Sequence, residues 1–242
     1  MDQHEIERVP DGDRGGALVT GAAGGIGAAV TRRLTQDGWR VAGLDLRAAV
    51  NAALAIQVDV RDRAAVTDAA ARAAADLGPI ELLVTAAGVY EQVPFDSIEP
   101  ERWAEILEIN LGGTVNACAA VVPGMLGAGR GCIVTISSEL ALSGGACEAH
   151  YAAAKGAVLG LTRSLGAELA PHGVRVVGVA PGPTDTALLA EDSPWRDPEY
   201  LAELPLGRLV SPEEVAEVVS FLSRGGSHFV GQTVSPNAGA VI

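Results

Sequence analysis

The chain has 242 residues, 48% of them apolar and 19% charged, which suits one generous domain and excludes a disordered protein. Lys plus Arg number 17 against 30 Asp plus Glu, a formal net charge of −13; such a field repels phosphate backbones, and no Lys/Arg run offsets it, so nucleic acid is excluded as a partner. Cys118, Cys132 and Cys147 have no C-x-x-C spacing, which leaves neither a disulfide framework nor a cysteine zinc site.

Residues 1–15, seven of them charged, read as a flexible N-terminal segment, and 16–242 as a single domain. Ala17 to Thr20 is a short apolar strand, followed by glycines from Gly21 to Gly27 and a helix over 28–36. Strands follow at 40–44, ending in Asp45, and at 55–58, ending in Asp59. A helix covers 63–77, and a fourth strand 82–85. A long helix over 100–122 carries a predicted adjustment at Gly112-Gly113, followed by a fifth strand at 132–136. A helix over 151–170, a strand over 174–179, a helix from Pro212 to about Leu222 and a strand over 229–234 complete the chain. Ser211 and Glu214 have capping-box spacing around Pro212. Apolar runs without alternation are strands buried on both faces, covered by the intervening helices. The fold class is therefore α/β: a Rossmann-like, doubly wound parallel sheet of seven strands flanked by helices. Long connections at 86–99, 137–150 and 183–210 follow strands four to six. They lie at the carboxyl ends of the strands, where ligands bind in such sheets. Every later apolar run is broken by Gly or charge, which predicts a soluble cytoplasmic protein with no membrane partner.

Thr20-Gly21-Ala22-Ala23-Gly24-Gly25-Ile26-Gly27 joins a strand to a helix. Missing Cβ atoms permit a tight turn and close approach of a pyrophosphate, and the helix N-terminus beyond supplies unpaired amides. Asp45, 24 residues after Gly21, stands where a carboxylate accepts from an adenosine ribose and repels a 2′-phosphate, which favours NAD over NADP. Arg47 is close enough to soften that preference, and Asp59 is a second candidate for the adenine end. Tyr151 and Lys155, four apart, share one helical face. An ammonium beside a phenol lowers its pKa toward that of a general base near neutrality. Ser138 can hold the substrate oxygen. No H-E-x-x-H cluster occurs, so no catalytic metal is predicted. G-x-S-x-G and G-x-x-x-x-G-K-[ST] are also absent.

These motifs resemble the classical short-chain dehydrogenase/reductase family over nearly all of Ala17 to Gly239. Tyr151 to Lys155 matches its Y-x-x-x-K, Ser138 its serine 13 residues before the tyrosine, Asn110 its asparagine, and Pro181-Gly182 its P-G motif. The resemblance implies that Tyr151 exchanges the substrate proton and Lys155 tunes it and binds the nicotinamide ribose. Ser138 orients the substrate oxygen, and Asn110 holds a water linking Lys155 to solvent. The implied cofactor-binding set is Gly21, Gly24, Gly25, Ile26, Gly27, Asp45, Asp59, Val60, Ala87, Gly88, Pro181, Gly182, Thr184 and Thr186, with Tyr151 and Lys155. The family's N-N-A-G appears as Thr85-Ala86-Ala87-Gly88, its R-V-N as Arg175-Val176-Val177, and its V-D-G-G as Pro236-Asn237-Ala238-Gly239. A homotetramer or homodimer is implied.

A lid over about 183–207 carries Leu188, Leu189, Trp195, Tyr200, Leu201 and Leu204. Ser138, Glu139, Glu148, His150, Leu188 and Trp195 are the candidate substrate contacts. The expected reaction is NAD-dependent interconversion of a hydrophobic or cyclic secondary alcohol, or a dihydrodiol, with its ketone. The enzymatic alternative is reduction of a 3-oxoacyl thioester on coenzyme A or a carrier protein. The non-catalytic alternative is a nucleotide-binding regulatory protein of the same fold.

Overall fold

The computed structural model describes residues 14–241. Seven parallel strands form one sheet in the order β3-β2-β1-β4-β5-β6-β7. They are β1 (Gly16–Thr20), β2 (Arg40–Asp45), β3 (Leu54–Gln57), β4 (Ile80–Thr85), β5 (Gly131–Ile136), β6 (Val174–Val179) and β7 (Thr233–Val234). The order reverses between β1 and β4, so a crevice opens beside the carboxyl ends of these two central strands.

Because side chains alternate along a strand, the central strands feed two cores. Val19, Val84, Val134 and Val179 face α1 (Gly25–Gln36) and α8 (Pro212–Arg224). Leu18, Leu83, Ile133 and Val176 face α2 (Arg63–Leu77) and α4 (Gly113–Ala128), with α6 (Ala149–Leu169) completing that layer. At the edge, β3 alternates half-buried and exposed residues instead of being buried on both faces, because it has a neighbour on one side only.

Several boundaries differ from the sequence reading for local reasons. Residues 1–13 of the segment expected to be flexible lie outside the described residues. Arg14, expected in it, is buried and donates from Nε to the Asp37 carbonyl at 2.8 Å. The long helix begins with α3 (Pro100–Leu107), widens into a π-turn at Glu108–Gly112, and continues as α4 to Ala128 despite Pro123. Pro100–Ala128 is long and apolar enough to cross a membrane on length and composition, but it packs against α2, β4, β5 and α6. Of the strand expected over 229–234 only Thr233–Val234 forms. Phe229 closes a turn onto the Gly226 carbonyl, and Gly231 takes φ +64° against Arg163 of α6. The capping box is present: Ser211 Oγ accepts from the Glu214 amide, and Glu214 Oε2 accepts from the Ser211 amide.

Candidate active site

The turn after β1 is held open by its glycines. Gly21 has φ +68°, and a Cβ there would lie 2.6 Å from the Ala87 nitrogen. A Cβ on Gly27 would collide with the Gly21 carbonyl oxygen. The N-cap of α1 is Gly24, which offers no capping side chain, and the first turn holds no acidic residue. The helix therefore presents free amides and the positive end of its dipole to the crevice, and this donor set fits a pyrophosphate. Asp45, at the end of β2, accepts from the Ala23 amide at 3.1 Å, which ties that carboxylate to the same loop. Arg47 stands beside it, its Nε 3.7 Å from Asp45 Oδ1. Asp59 is held by Arg61 at 2.6 Å, and that hydrogen bond keeps its carboxyl below the ordinary range. Val60 fills the space above Gly113, where a Cβ would meet it at 2.6 Å.

A cavity continues from this loop. Ile26 lines it from the glycine loop, Pro181, Gly182, Thr184 and Thr186 from the P-G side, and Gly88 and Asn110 from the loop after β4 and the π-turn. Ser138, Glu139, Tyr151 and Lys155 line the wall opposite, and Leu188, Leu189 and Trp195 close it from the lid. The lid carries a 3-10 turn at Pro194–Arg196 and α7 (Pro198–Glu203). The helical spacing puts Tyr151 and Lys155 on the buried face of α6. Lys155 Nζ donates to the Ile136 carbonyl at 3.1 Å, and Ser137 Oγ donates to the Lys155 carbonyl at 2.8 Å, so α6 is pinned to the end of β5. A Cβ on Gly88 would come within 2.6 Å of Asn110 Oδ1 and 3.4 Å of Lys155 Nζ. Glycine is what lets those two groups approach. Asn110 Nδ2 donates to the Val89 and Ile106 carbonyls, each at 3.0 Å, and so fastens the π-turn to the loop after β4.

The electrostatics correct one expectation. Burial is the main cause that raises the Tyr151 phenol above its ordinary pKa, with the facing Glu139 carboxyl adding to it. Burial pulls Lys155 down to about 8. Lys155 Nζ lies 5.8 Å from the Tyr151 ring centre and is turned to a carbonyl. The protein alone therefore does not deliver the lowered phenol that the pair's spacing suggested.

Residues 16–197 match the model of a family described as short chain dehydrogenase. The chain is 39% identical to a cis-4-hydroxycyclohexanecarboxylate dehydrogenase of Sinomonas cyclohexanicum, over 88% of this chain and 91% of the relative. It is also 39% identical to an acetoacetyl-CoA reductase of Rhizobium meliloti, over 92% of this chain and 97% of the relative. The solved structure of the Thermoplasma acidophilum aldohexose dehydrogenase superposes with a TM-score of 0.87 at 30% identity, covering 94% of each chain. The chain belongs to the short-chain dehydrogenase family.

As a short-chain dehydrogenase it is an oxidoreductase that uses a nicotinamide cofactor and acts on a small molecule. Its departures from the common motifs are absorbed locally. In Thr85-Ala86-Ala87-Gly88 the backbone does the holding: the Ala87 amide donates to Thr20 Oγ1 at 3.2 Å and the Ala86 amide to the Thr20 carbonyl at 3.2 Å. In the C-terminal turn Asn237 Nδ2 donates to the Val241 carbonyl at 2.7 Å, while Gly182 lies directly against the Asn237 backbone.

Two expected substrate contacts lie elsewhere. His150 is buried, with Nε2 3.0 Å from Glu91 Oε1 and its ring tilted against Trp103 at 6.0 Å. Glu148 is also buried, behind the cavity wall. Both are bound from the loop after β4, where Glu91 meets His150 and Tyr90 and Gln92 donate to Glu148. What sequence reasoning missed is Tyr90. Its ring packs edge-on against Tyr151 at 5.0 Å, and its hydroxyl donates to Glu148 Oε1 at 2.5 Å while accepting from Trp195 Nε1 at 2.6 Å. Burial first, and then this hydrogen bond, hold the Tyr90 phenol far above its usual pKa. The available signal was an aromatic two residues after Gly88, in a connection already assigned to the site wall.

Proposed function

We propose that the chain is an NAD-dependent dehydrogenase that interconverts a hydrophobic or cyclic secondary alcohol, or a dihydrodiol, with its ketone. The observation that carries the reading is the placement of Tyr151, Ser138 and Lys155 on one wall of a cavity whose other end is the glycine loop. A substrate hydroxyl between Tyr151 and Ser138 passes its proton to the Tyr151 oxygen in its phenolate form, with Ser138 holding the substrate oxygen in line. A nicotinamide cofactor, when bound in its oxidised form, would supply the hydride acceptor and a positive charge that favours the phenolate. Lys155 would hold its nicotinamide ribose. Asn110 Oδ1, buried without a hydrogen-bond partner among the described residues and facing Lys155 beside Gly88, is the acceptor for a water that carries the proton onward. Asp45 supports NAD, because its carboxylate sits where a 2′-phosphate would meet like charge.

The lid supports an apolar or cyclic substrate over a thioester. Leu188, Leu189 and Trp195 line the cavity. The basic candidates for a phosphate cradle are already engaged: Arg196 pairs with Asp185 at 2.8 Å and Arg208 with Glu214 at 2.6 Å. A cytoplasmic homotetramer or homodimer completes the proposal, supported by exposed Val115 and Leu126 on α4. The test is one panel of cyclic alcohols, aliphatic secondary alcohols, cis-dihydrodiols, sugars and a 3-hydroxyacyl thioester, each followed by reduced-cofactor absorbance with NAD and NADP. Cyclic alcohols or dihydrodiols with NAD are expected to give the highest kcat/KM, and Tyr151→Phe to lose about 100-fold or more. Efficiency concentrated on the thioester would replace this reading with the reductase one. NADP preference would transfer the cofactor role from Asp45 to Arg47.

A further inference from the structure

Glu139 follows Ser138 directly and is unlike its surroundings. The residues around it in the cavity are largely apolar, yet Glu139 is a carboxyl that lines the cavity while only 5% exposed. Its backbone leaves it no freedom: the Glu139 amide donates to the Pro181 carbonyl at 3.0 Å, which fixes the start of α5 (Leu140–Ser143) against the end of β6. Its Oε2 accepts the Ser138 hydroxyl at 3.0 Å, and Ser138 Oγ accepts in turn from the Leu140 amide at 3.2 Å. Among the described residues, neither Arg nor Lys is hydrogen-bonded to it. The group that orients the reacting oxygen is thus shared between a neighbouring acid and the Tyr151 phenol. A buried carboxyl has room for about four hydrogen bonds, and this one faces the substrate space.

From this juxtaposition we infer that the substrate carries a second hydroxyl on the carbon next to the reacting carbinol, and that Glu139 reads it. The inference rests on the secondary-alcohol reading above and narrows it to vicinal diols and their α-hydroxyketones. The distances close. A reacting oxygen sits about 2.8 Å from Ser138 Oγ, neighbouring oxygens of a vicinal diol lie about 2.8 Å apart, and a hydroxyl donates to a carboxylate at about 2.7 Å. With the Ser138–Glu139 contact of 3.0 Å as the fourth side, these make a nearly equilateral ring of four hydrogen-bonding groups. The second hydroxyl donates to Glu139 and competes for the carboxyl, so that the Ser138 proton turns to the reacting oxygen. The carbinol carbon then gives its hydride to the oxidised nicotinamide, the carbinol proton goes to Tyr151, and an α-hydroxyketone leaves. A hydroxyl suits this partner better than an ammonium or a carboxylate. Burial pushes Glu139 up to about 7, with Glu148 adding to the effect and Tyr151 and Tyr200 facing it. A hydroxyl can both donate and accept, so it pairs with either protonation state.

The test compares 1,2-cyclohexanediol with 2-methoxycyclohexanol and cyclohexanol on the wild-type enzyme with NAD. The methyl ether keeps the size of the diol and both oxygens but cannot donate. The diol is expected to exceed the ether in kcat/KM by about tenfold or more, the scale of one hydrogen bond to a charged group. In Glu139→Leu that ratio collapses toward one, chiefly through the KM of the diol, while Glu139→Gln, which keeps one acceptor oxygen, retains part of it. Oxidation of cyclohexanol and the ether at rates matching the diol would overturn the inference and leave the alcohol reading standing. No turnover of any of the three would overturn both. Because the wild-type ratio alone decides, a Glu139 variant that fails to fold does not protect the inference.

Discussion

Removing the Tyr90 hydroxyl with Tyr90→Phe isolates a link between the lid and a buried acid. The phenylalanine keeps the ring that packs on Tyr151 at 5.0 Å. It deletes the donor to Glu148 Oε1 at 2.5 Å and the acceptor for Trp195 Nε1 at 2.6 Å. Glu148 then keeps Gln92 Nε2 at 3.3 Å and the Trp195 indole as donors, while its Oε2 has no hydrogen-bond partner among the described residues. A hydrogen bond to a charged group contributes ~1.5–3 kcal/mol, and leaving the acid under-satisfied exposes that cost in full. For a chain of this size each kcal/mol moves Tm by about 2–4 °C, so a fall of roughly 3–12 °C is expected. The Trp195 bond, between neutral groups, is worth ~0.5–1.5 kcal/mol of lid closure, or about 2- to 12-fold in KM. kcat should change less, since Tyr151 and Ser138 keep their positions. Thermal melts and steady-state kinetics read the two effects separately. In a Glu148→Gln background the Tm penalty of Tyr90→Phe should shrink, because the buried charge is gone. A Tyr90→Phe variant that matches wild type in both Tm and KM would refute the link.

Two other outcomes follow from the same geometry. Glu139 has its pKa raised from 4.5 to about 7, chiefly by burial. The folded state therefore holds its proton more tightly than the unfolded chain, and stability from this group is full below pH ~4.5 and lost as pH rises through ~7. Glu139→Gln should accordingly gain on wild type by up to ~3 kcal/mol between pH 5 and pH 8 in urea unfolding; a difference independent of pH would show that Glu139 is not held protonated. For assembly, light scattering at micromolar concentration should report a dimer or tetramer, and a monomer would remove the α4 face as an interface.

Much of the scaffold was legible in the residues themselves. Strand, glycine turn and helix around Thr20 to Gly27 are local events, set by apolar runs, missing Cβ atoms and an uncapped helix start. Tyr151 and Lys155 share a face because helical period demands it, and Ser211 to Glu214 cap a helix because side chain and amide are three residues apart. The parallel sheet follows from apolar strands separated by helices. What tertiary structure alone decided involves partners far apart in the chain. Tyr90, Glu148 and Trp195 meet across 58 and 105 residues. His150 is paired with Glu91, so it does not reach the cavity. Lys155 points at the Ile136 carbonyl and leaves the phenol to burial and to Glu139. Periodicity fixes which face of an element a side chain occupies, but not which distant backbone arrives there or how much water it excludes. Direction of hydrogen bonding and pKa depend on those two things, and only the assembled crevice sets them.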